Sequence, residues 1–189
     1  TGLRRQHVTC AKAAATICKA DLHGADVGSN ELSFVPGALK NGNYKFSVGT
    51  AGNTTLVLQT VLPPLLLADG PSTVTVEGGT HNVGAPPFHF LAYAFLPVLN
   101  SIGPKVEARL NRYGFVPAGG GSVTVSIEPG ERKLGQIDLC DRGDRKNVEI
   151  IGVVSDLPME IAKDETKRMV NSLKFQADKR THETVNSNG

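Results

Sequence analysis

The chain has 189 residues, 40% of them apolar and 20% charged, with a formal net charge of +2. That length and composition describe an ordinary globular protein with room for one cored domain and part of another, and so small a charge excludes bulk electrostatic capture of nucleic acid, leaving only a local basic patch for that purpose. The cysteines, Cys10, Cys18 and Cys140, are odd in number and lack framework spacing, which excludes a disulfide-stapled secreted fold and fits a reducing, cytoplasmic compartment.

In chain order, Arg5 to Ala20 reads as a helix with Val8, Ala11, Ala15 and Cys18 along one stripe. The segment opens without Met or an apolar leader, as a chain that starts inside a domain would. Glu31–Val35 and Tyr44–Val48 alternate and are expected to pair as strands, with Pro36-Gly37 and Asn41-Gly42 as turn signals between them. A helix follows from Thr50 to Leu67, with Asn53 or Thr54 as its cap and a bend or break at Pro63-Pro64. Its apolar run, Thr55 to Ala68, is too short to span a bilayer.

Thr73–Val76 is a short strand, and Phe88–Ile102 a third helix whose start tolerates Pro86-Pro87. Lys105–Leu110, Ser122–Ile127 and Leu134–Leu139 complete a run of strands. The order implies an α+β layer, a sheet with helices on one face. After Cys140 the character changes to a charged turn, a strand over Val148–Val154 and an amphipathic helix over Pro158–Phe175, with Ile161, Met169, Val170 and Leu173 as its core positions. Residues 176–189 lack apolar periodicity and read as a disordered tail or an interrupted continuation. Two domains are therefore expected, 1–140 and the beginning of a second over 141–189.

Glycine-led helix mouths are the first candidates for chemistry, because free backbone N–H groups there attract phosphate. One runs from Gly49 to Thr55 and the other from Gly78 to Pro87; neither is a Walker loop, since no Gly-Lys-Ser/Thr follows. Gln59 stands among Leu56, Val57, Leu58, Val61 and Leu62. A buried amide there must find a loop partner, or else Gln59 lies at a cleft edge against a phosphate or its metal. Phe88, Phe90, Tyr93 and Phe95 form an aromatic group that either packs in the core or, with Pro86 and Phe90, sandwiches a flat base. Arg4 and Arg5 beside Gln6 and His7 are either a solvated helix end or a phosphate contact. His7, His23, His81, His89 and His182 show no metal spacing, and Asp138 with Asp141 reads as a solvated turn.

The order of these elements is more specific than any one of them. Gly2-Leu3-Arg4-Arg5-Gln6-His7, Gly49-Thr50-Ala51-Gly52 with Thr55 to Thr60, Gly78-Gly79-Thr80-His81-Asn82 with Ala85-Pro86-Pro87, and Arg112-Tyr113-Gly114-Phe115 with Pro117 to Gly121 resemble the RNA 3′-terminal phosphate cyclase family. The resemblance runs from the first residue to about Gly143 and more loosely beyond it. It implies repeated βαβαββ-like units with an inserted α/β domain. It also implies ATP and a divalent metal (Mg or Mn) as cofactors, RNA 3′-phosphate ends as partners, and conversion of a 3′-phosphate to a 2′,3′-cyclic phosphate through a histidine that carries AMP.

Carried over by motif, Gln59 resembles the glutamine near the nucleotide phosphates, Pro86 and Phe90 the residues flanking adenine, and Arg4, Arg5 and Gln6 the phosphate- and RNA-facing group. None of the five histidines matches the nucleophile's motif, so no catalytic residue is expected within these residues, the metal ligands stay unknown, and the missing portions of a full-length chain are expected partners. Val83-Gly84 stands where the family usually has proline, and His89 where an acidic residue is common. A non-catalytic cyclase-like RNA-binding protein of ribosome assembly is the alternative. An enolpyruvyl transferase of similar architecture is disfavoured because its anion-binding lysines and arginines have no matching run here.

Overall fold

The computed structural model describes residues 2–49, 52–130, 134–173 and 176–187. Helix α1 is Arg5–Cys18, β1 Asp21–His23, β2 Ser33–Val35, β3 Asn43–Ser47, α2 Thr54–Leu65 and β4 Ser72–Gly78. A helical stretch follows as α3 (Phe88–Phe90), a π turn (Leu91–Phe95) and α4 (Leu96–Asn100). Then come β5 Lys105–Arg112, β6 Gly121–Glu128, β7 Glu149–Val154, α5 Met159–Ser172 and β8 Lys179–Thr184. The protein is α+β, and the chain divides into a larger unit up to Ile137 and a smaller one, Asp138–Ser187.

From β3 to β6 the larger unit reads βαβαββ, in a four-stranded sheet of order β3-β4-β6-β5. β3 and β4 are parallel across the α2 crossover, and β4, β6 and β5 are antiparallel. Alternation explains the layers: Val74 lies opposite Val125 and Val76 opposite Val123. These four, with Val106 and Ile127, are at most 1% exposed and carry the helices. The other face is polar, with Thr75 and Thr124 hydroxyls 3.0 Å apart and Lys45 paired with Glu77 at 2.8 Å.

Several expectations are corrected. Glu31–Val35 does not pair with Tyr44–Val48; β2 pairs antiparallel with β1, an element too short to show periodicity, while β3 pairs with β4. α1 buries Val8, Ala13 and Ile17, a stripe that shares only Val8 with the expected one. α2 runs unbroken through Pro63-Pro64, because Leu58, Val61, Leu62 and Leu65 are all buried and hold the turn against the core. The prolines still remove the N–H groups that would bond the Gln59 and Thr60 carbonyls.

Residues 134–139 form no strand: Leu134, Ile137 and Leu139 are exposed, and Gly135 N–H instead donates to the Ile102 carbonyl at 2.7 Å. The third helix is interrupted by its π turn, where Pro97 has no N–H for the Tyr93 carbonyl.

The smaller unit is a βαβ in which β7 and β8 are parallel neighbours. Residues 176–187, expected to be tail, supply β8, whose pairing needs no apolar alternation because its partner and α5 provide the apolar side. Within α5 the buried residues are Ala162 and Thr166, while Ile161 and Met169 are exposed and Val170 and Leu173 half-buried. The reason is close approach: a Cβ on Gly152 would lie 2.8 Å from the Ala162 carbonyl oxygen, so only small side chains fit between helix and strand. Thr166 Oγ1 and His182 Nε2 sit 2.8 Å apart across that contact. The expected last residues of this helix, Lys174 and Phe175, lie outside the described residues, as do Asn188 and Gly189 of the tail.

Candidate functional site

Two segments meet at the carboxyl end of β4. Gly79 N–H donates to the Gly52 carbonyl and Thr54 N–H to the Gly79 carbonyl, both at 2.8 Å, so the residues ahead of α2 continue the parallel pairing. Asn53 caps α2 with its Oδ1 accepting from Thr55 N–H at 2.7 Å. Thr55 Oγ1 lies within reach of Asn53 Oδ1 and of the Pro86 carbonyl, the latter at 2.8 Å. With one proton to give, and Asn53 Oδ1 already engaged, the hydroxyl is best used on Pro86. The two glycine-led mouths are thus joined side by side. Thr50 and Ala51, at the centre of the first, lie outside the described residues. Among the described residues, Asn53 Nδ2 and Thr54 Oγ1 are buried and find no hydrogen-bond partner, a state that costs about 1–3 kcal/mol per group.

The second mouth is held by glycine packing. Thr80 is fully buried. Its N–H donates to the Gly114 carbonyl at 2.9 Å, and its Oγ1 accepts from Gly114 N–H at 3.0 Å. A Cβ on Gly114 would stand 2.5 Å from the Gly78 and Gly119 carbonyl oxygens, so this crossing admits only glycine. Gly119 and Gly120 have φ of +77° and +61°, the left-handed region. These contacts account for the spacing of Gly78-Gly79, Gly114 and Gly119-Gly120-Gly121.

Gln59 is exposed, not buried, and lines an apolar hollow of about 350 Å³ with Leu62, Leu66, Leu91, Phe95 and Leu134 among others. It stands one turn beyond Thr55 on the same side of α2 and therefore on the side that meets the Pro86 segment. Its main-chain carbonyl lacks the i+4 donor that Pro63 cannot supply. Phe90 is 52% exposed and is not among the described residues that line this hollow. Of the aromatic group only Phe88 is buried; Tyr93 and Phe95 are exposed, which overturns the core assignment for three of the four.

Arg4 and Arg5 are exposed and Gln6 half-buried at the start of α1, where His7 Nδ1 accepts from Arg4 N–H at 3.1 Å. Among the described residues, no hydrogen bond or ion pair joins these three to Gln59, Pro86 or Phe90. Asp138 and Asp141 accept from the Cys140 and Gly143 N–H groups in separate turns, and hydrogen bonding to Cys140, from its side chain first and then its N–H, holds the Asp138 carboxyl below its usual range. Among the described residues, no cluster of three or more His, Cys, Asp or Glu side chains could hold a metal.

Sequence reasoning missed one arrangement. His81 Nε2 and His89 Nδ1 are 2.9 Å apart across the proline loop, with Tyr113, Phe115 and Tyr93 around them. Two histidines eight positions apart carry no period that a sequence would reveal.

The fold and these joined mouths define an α+β protein built on a βαβαββ unit, with the segments ahead of α2 and of the helical stretch after β4 bonded to each other. The family model described as RNA 3′-terminal phosphate cyclase matches residues 1–183, and the chain belongs to that family. It is similar to the RNA 3′-terminal phosphate cyclase of Koribacter versatilis (strain Ellin345), 52% identical over 91% of this chain and 48% of that protein. The protein of the same name from Ectopseudomonas mendocina (strain ymp) is 46% identical over 92% of this chain and 50% of its own. The one from Pseudomonas fluorescens is 46% identical over 95% and 52%. The chain thus spans about half the length of these curated relatives.

Proposed function

We propose that the protein supplies the nucleotide-facing half of an enzyme that converts an RNA 3′-phosphate to a 2′,3′-cyclic phosphate at the expense of ATP. In that reaction the 2′-oxygen bonds to the 3′-phosphorus, and ATP ends as AMP and pyrophosphate. The observation that carries the reading is the Thr55–Pro86 hydrogen bond, which fixes the two glycine-led mouths against each other. Gln59 and Pro86 would then hold the nucleotide from neighbouring turns, and the exposed ring of Phe90 is available to stack on a base.

The residues fit such a ligand. Asn53 Nδ2 and Thr54 Oγ1 are donors in want of an acceptor at a helix N-terminus, the environment that favours phosphate oxygens. The apolar hollow beside Gln59 suits a flat base better than a charged triphosphate. Arg4, Arg5 and Gln6 are assigned to the RNA phosphate by the family motif. A divalent metal, Mg or Mn, would enter on ligand phosphates and water, as such ions commonly do, without an all-protein cage. No histidine here stands in the nucleophile's motif, so the AMP-carrying step is assigned to residues outside this chain. The smaller unit is read as the start of the inserted domain, and the cytoplasm as the site of action.

The test is a chimera that completes this chain with the portion of the Koribacter versatilis relative beyond the match. With ATP and Mg²⁺ or Mn²⁺ it should render a 3′-phosphate-labelled RNA resistant to phosphatase, and Gln59→Ala should slow this by about tenfold or more. RNA binding without ATP-dependent turnover would instead favour the non-catalytic reading.

A further inference from the structure

Thr80, His81 and His89 form a continuous polar chain that crosses the loop after β4, and the function proposed above makes no use of it. Gly114 N–H donates to Thr80 Oγ1, and of the two acceptors within reach of the Thr80 hydroxyl, the Gly114 carbonyl at 3.4 Å and His81 Nδ1 at 2.8 Å, the nearer is His81 Nδ1. His81 then carries its own proton on Nε2 and donates it to His89 Nδ1 at 2.9 Å. In this arrangement the His81 ring is neutral, accepting at Nδ1 and donating from Nε2. One added proton is accommodated by reversing the His81 tautomer, so that His89 donates and Thr80 accepts. Two added protons place N–H against N–H, and the contact is lost.

The chain spans the loop between Thr80 and Phe88, which Thr55 also reaches through the Pro86 carbonyl. Phe88 N–H donates to the Thr80 carbonyl at 3.0 Å and closes the base of the loop. Between these ends, Val83 is fully exposed and Gly84 has φ +82°. The rings are sandwiched: His81 lies over Tyr113 with centroids 5.1 Å apart, and His89 over Tyr93 at 5.8 Å. Among the described residues, Tyr93 from the π turn and Tyr113 from the β5–β6 loop are titratable groups that face the pair. Burial, and then the charge of His89, push His81 down to about 4, in keeping with a pair that takes its second proton only in acid.

We infer that the His81–His89 pair is a positioning latch, closing the loop between Thr80 and Phe88 so that Pro86 is held against the first turn of α2. The inference rests on the nucleotide reading only for its effect on ATP; the latch itself is a property of the chain alone.

The experiment is long-range ¹H–¹⁵N NMR of the histidine rings in the 189-residue chain, alongside ATP affinity, for wild type, His89→Leu and His89→Asn. The expected wild-type spectrum at pH 8 has His81 protonated on Nε2 and accepting at Nδ1. His89→Leu should let His81 titrate nearer its ordinary value and weaken ATP by about tenfold. His89→Asn, which keeps an acceptor where Nδ1 stood, should restore most of that affinity. An unaltered His81 titration in His89→Leu, or equal ATP affinity for the Leu and Asn variants, overturns the latch. Absence of ATP binding by every protein, with the tautomers as expected, sinks the nucleotide reading and leaves the latch standing.

Discussion

Thr55 Oγ1 donates to the carbonyl of Pro86 across 2.8 Å, joining the first turn of one helix to the proline loop that leads into the next. Thr55 is 1% exposed, so this hydroxyl has no water to fall back on. Thr55→Val keeps the shape and removes the donor. It is expected to cost about 1–2 kcal/mol, read as a lower urea midpoint with an unchanged slope. Amide exchange should quicken around Phe88 and Leu91 while the β4–β6 ladder stays protected.

Gly114→Ala is expected to be the most damaging small substitution in the second mouth. Its Cβ would be driven to 2.5 Å from two backbone carbonyls that cannot move without unpairing the strand ends. A loss of about 3 kcal/mol or more follows from overpacking of this kind. Gly84→Ala provides the contrast: φ is +82° but nothing lies within 4 Å of the added carbon, so only the left-handed backbone cost of about 1–2 kcal/mol applies. Thermal melts of the two variants should differ accordingly.

His81 makes stability depend on pH. Its folded value of about 4 lies below the ordinary 6.5, so the unfolded chain binds the proton more readily. Its contribution is therefore intact above about pH 6.5, shrinks as pH falls, and is lost by about pH 4. His81→Gln should flatten urea midpoints measured between pH 7 and pH 4.5. An equally steep dependence in that variant would show that other groups carry it.

The cysteines should separate in reactivity. Burial pushes the Cys10 thiol up, against a smaller opposing effect of a hydrogen bond with Thr60, and so keeps it from forming thiolate. Cys140 is exposed. Under native conditions at pH 8, mass spectrometry after brief treatment with iodoacetamide should find Cys140 labelled and Cys10 largely unmodified. Denaturant should remove the difference.

Long periodic segments were legible: α2 from its apolar density, and β4 and β6 from alternating branched residues that now face one another as Val74 with Val125 and Val76 with Val123. Pairing partners were not, since β2 and β3 alternate alike and only the crossover decides which of them meets β4. The Leu134–Leu139 stretch misled because Leu134 serves the hollow as a single side chain, and β8 was invisible because its residues are polar on both sides. Among candidate site residues, Gln59 and Pro86 were singled out through their motifs, and the structure places Pro86 against Thr55, one turn from Gln59. For Gln59 the sequence left a buried amide and a cleft edge both open, and the structure puts it exposed at the edge of the hollow. The His81–His89 contact depends on the fold of a loop and left no mark on the spacing.

The parallel register of β7 and β8 has a consequence for how the smaller unit comes into being. Glu149 meets Lys179 and Val154 meets Thr184, so each strand waits for a partner separated from it by the whole of α5. No hairpin can form first and recruit the rest. β7 and α5 alone leave that pairing unmade, and Lys179–Thr184 complete it. Any shortened version ending before Lys179 should lose the whole unit at once.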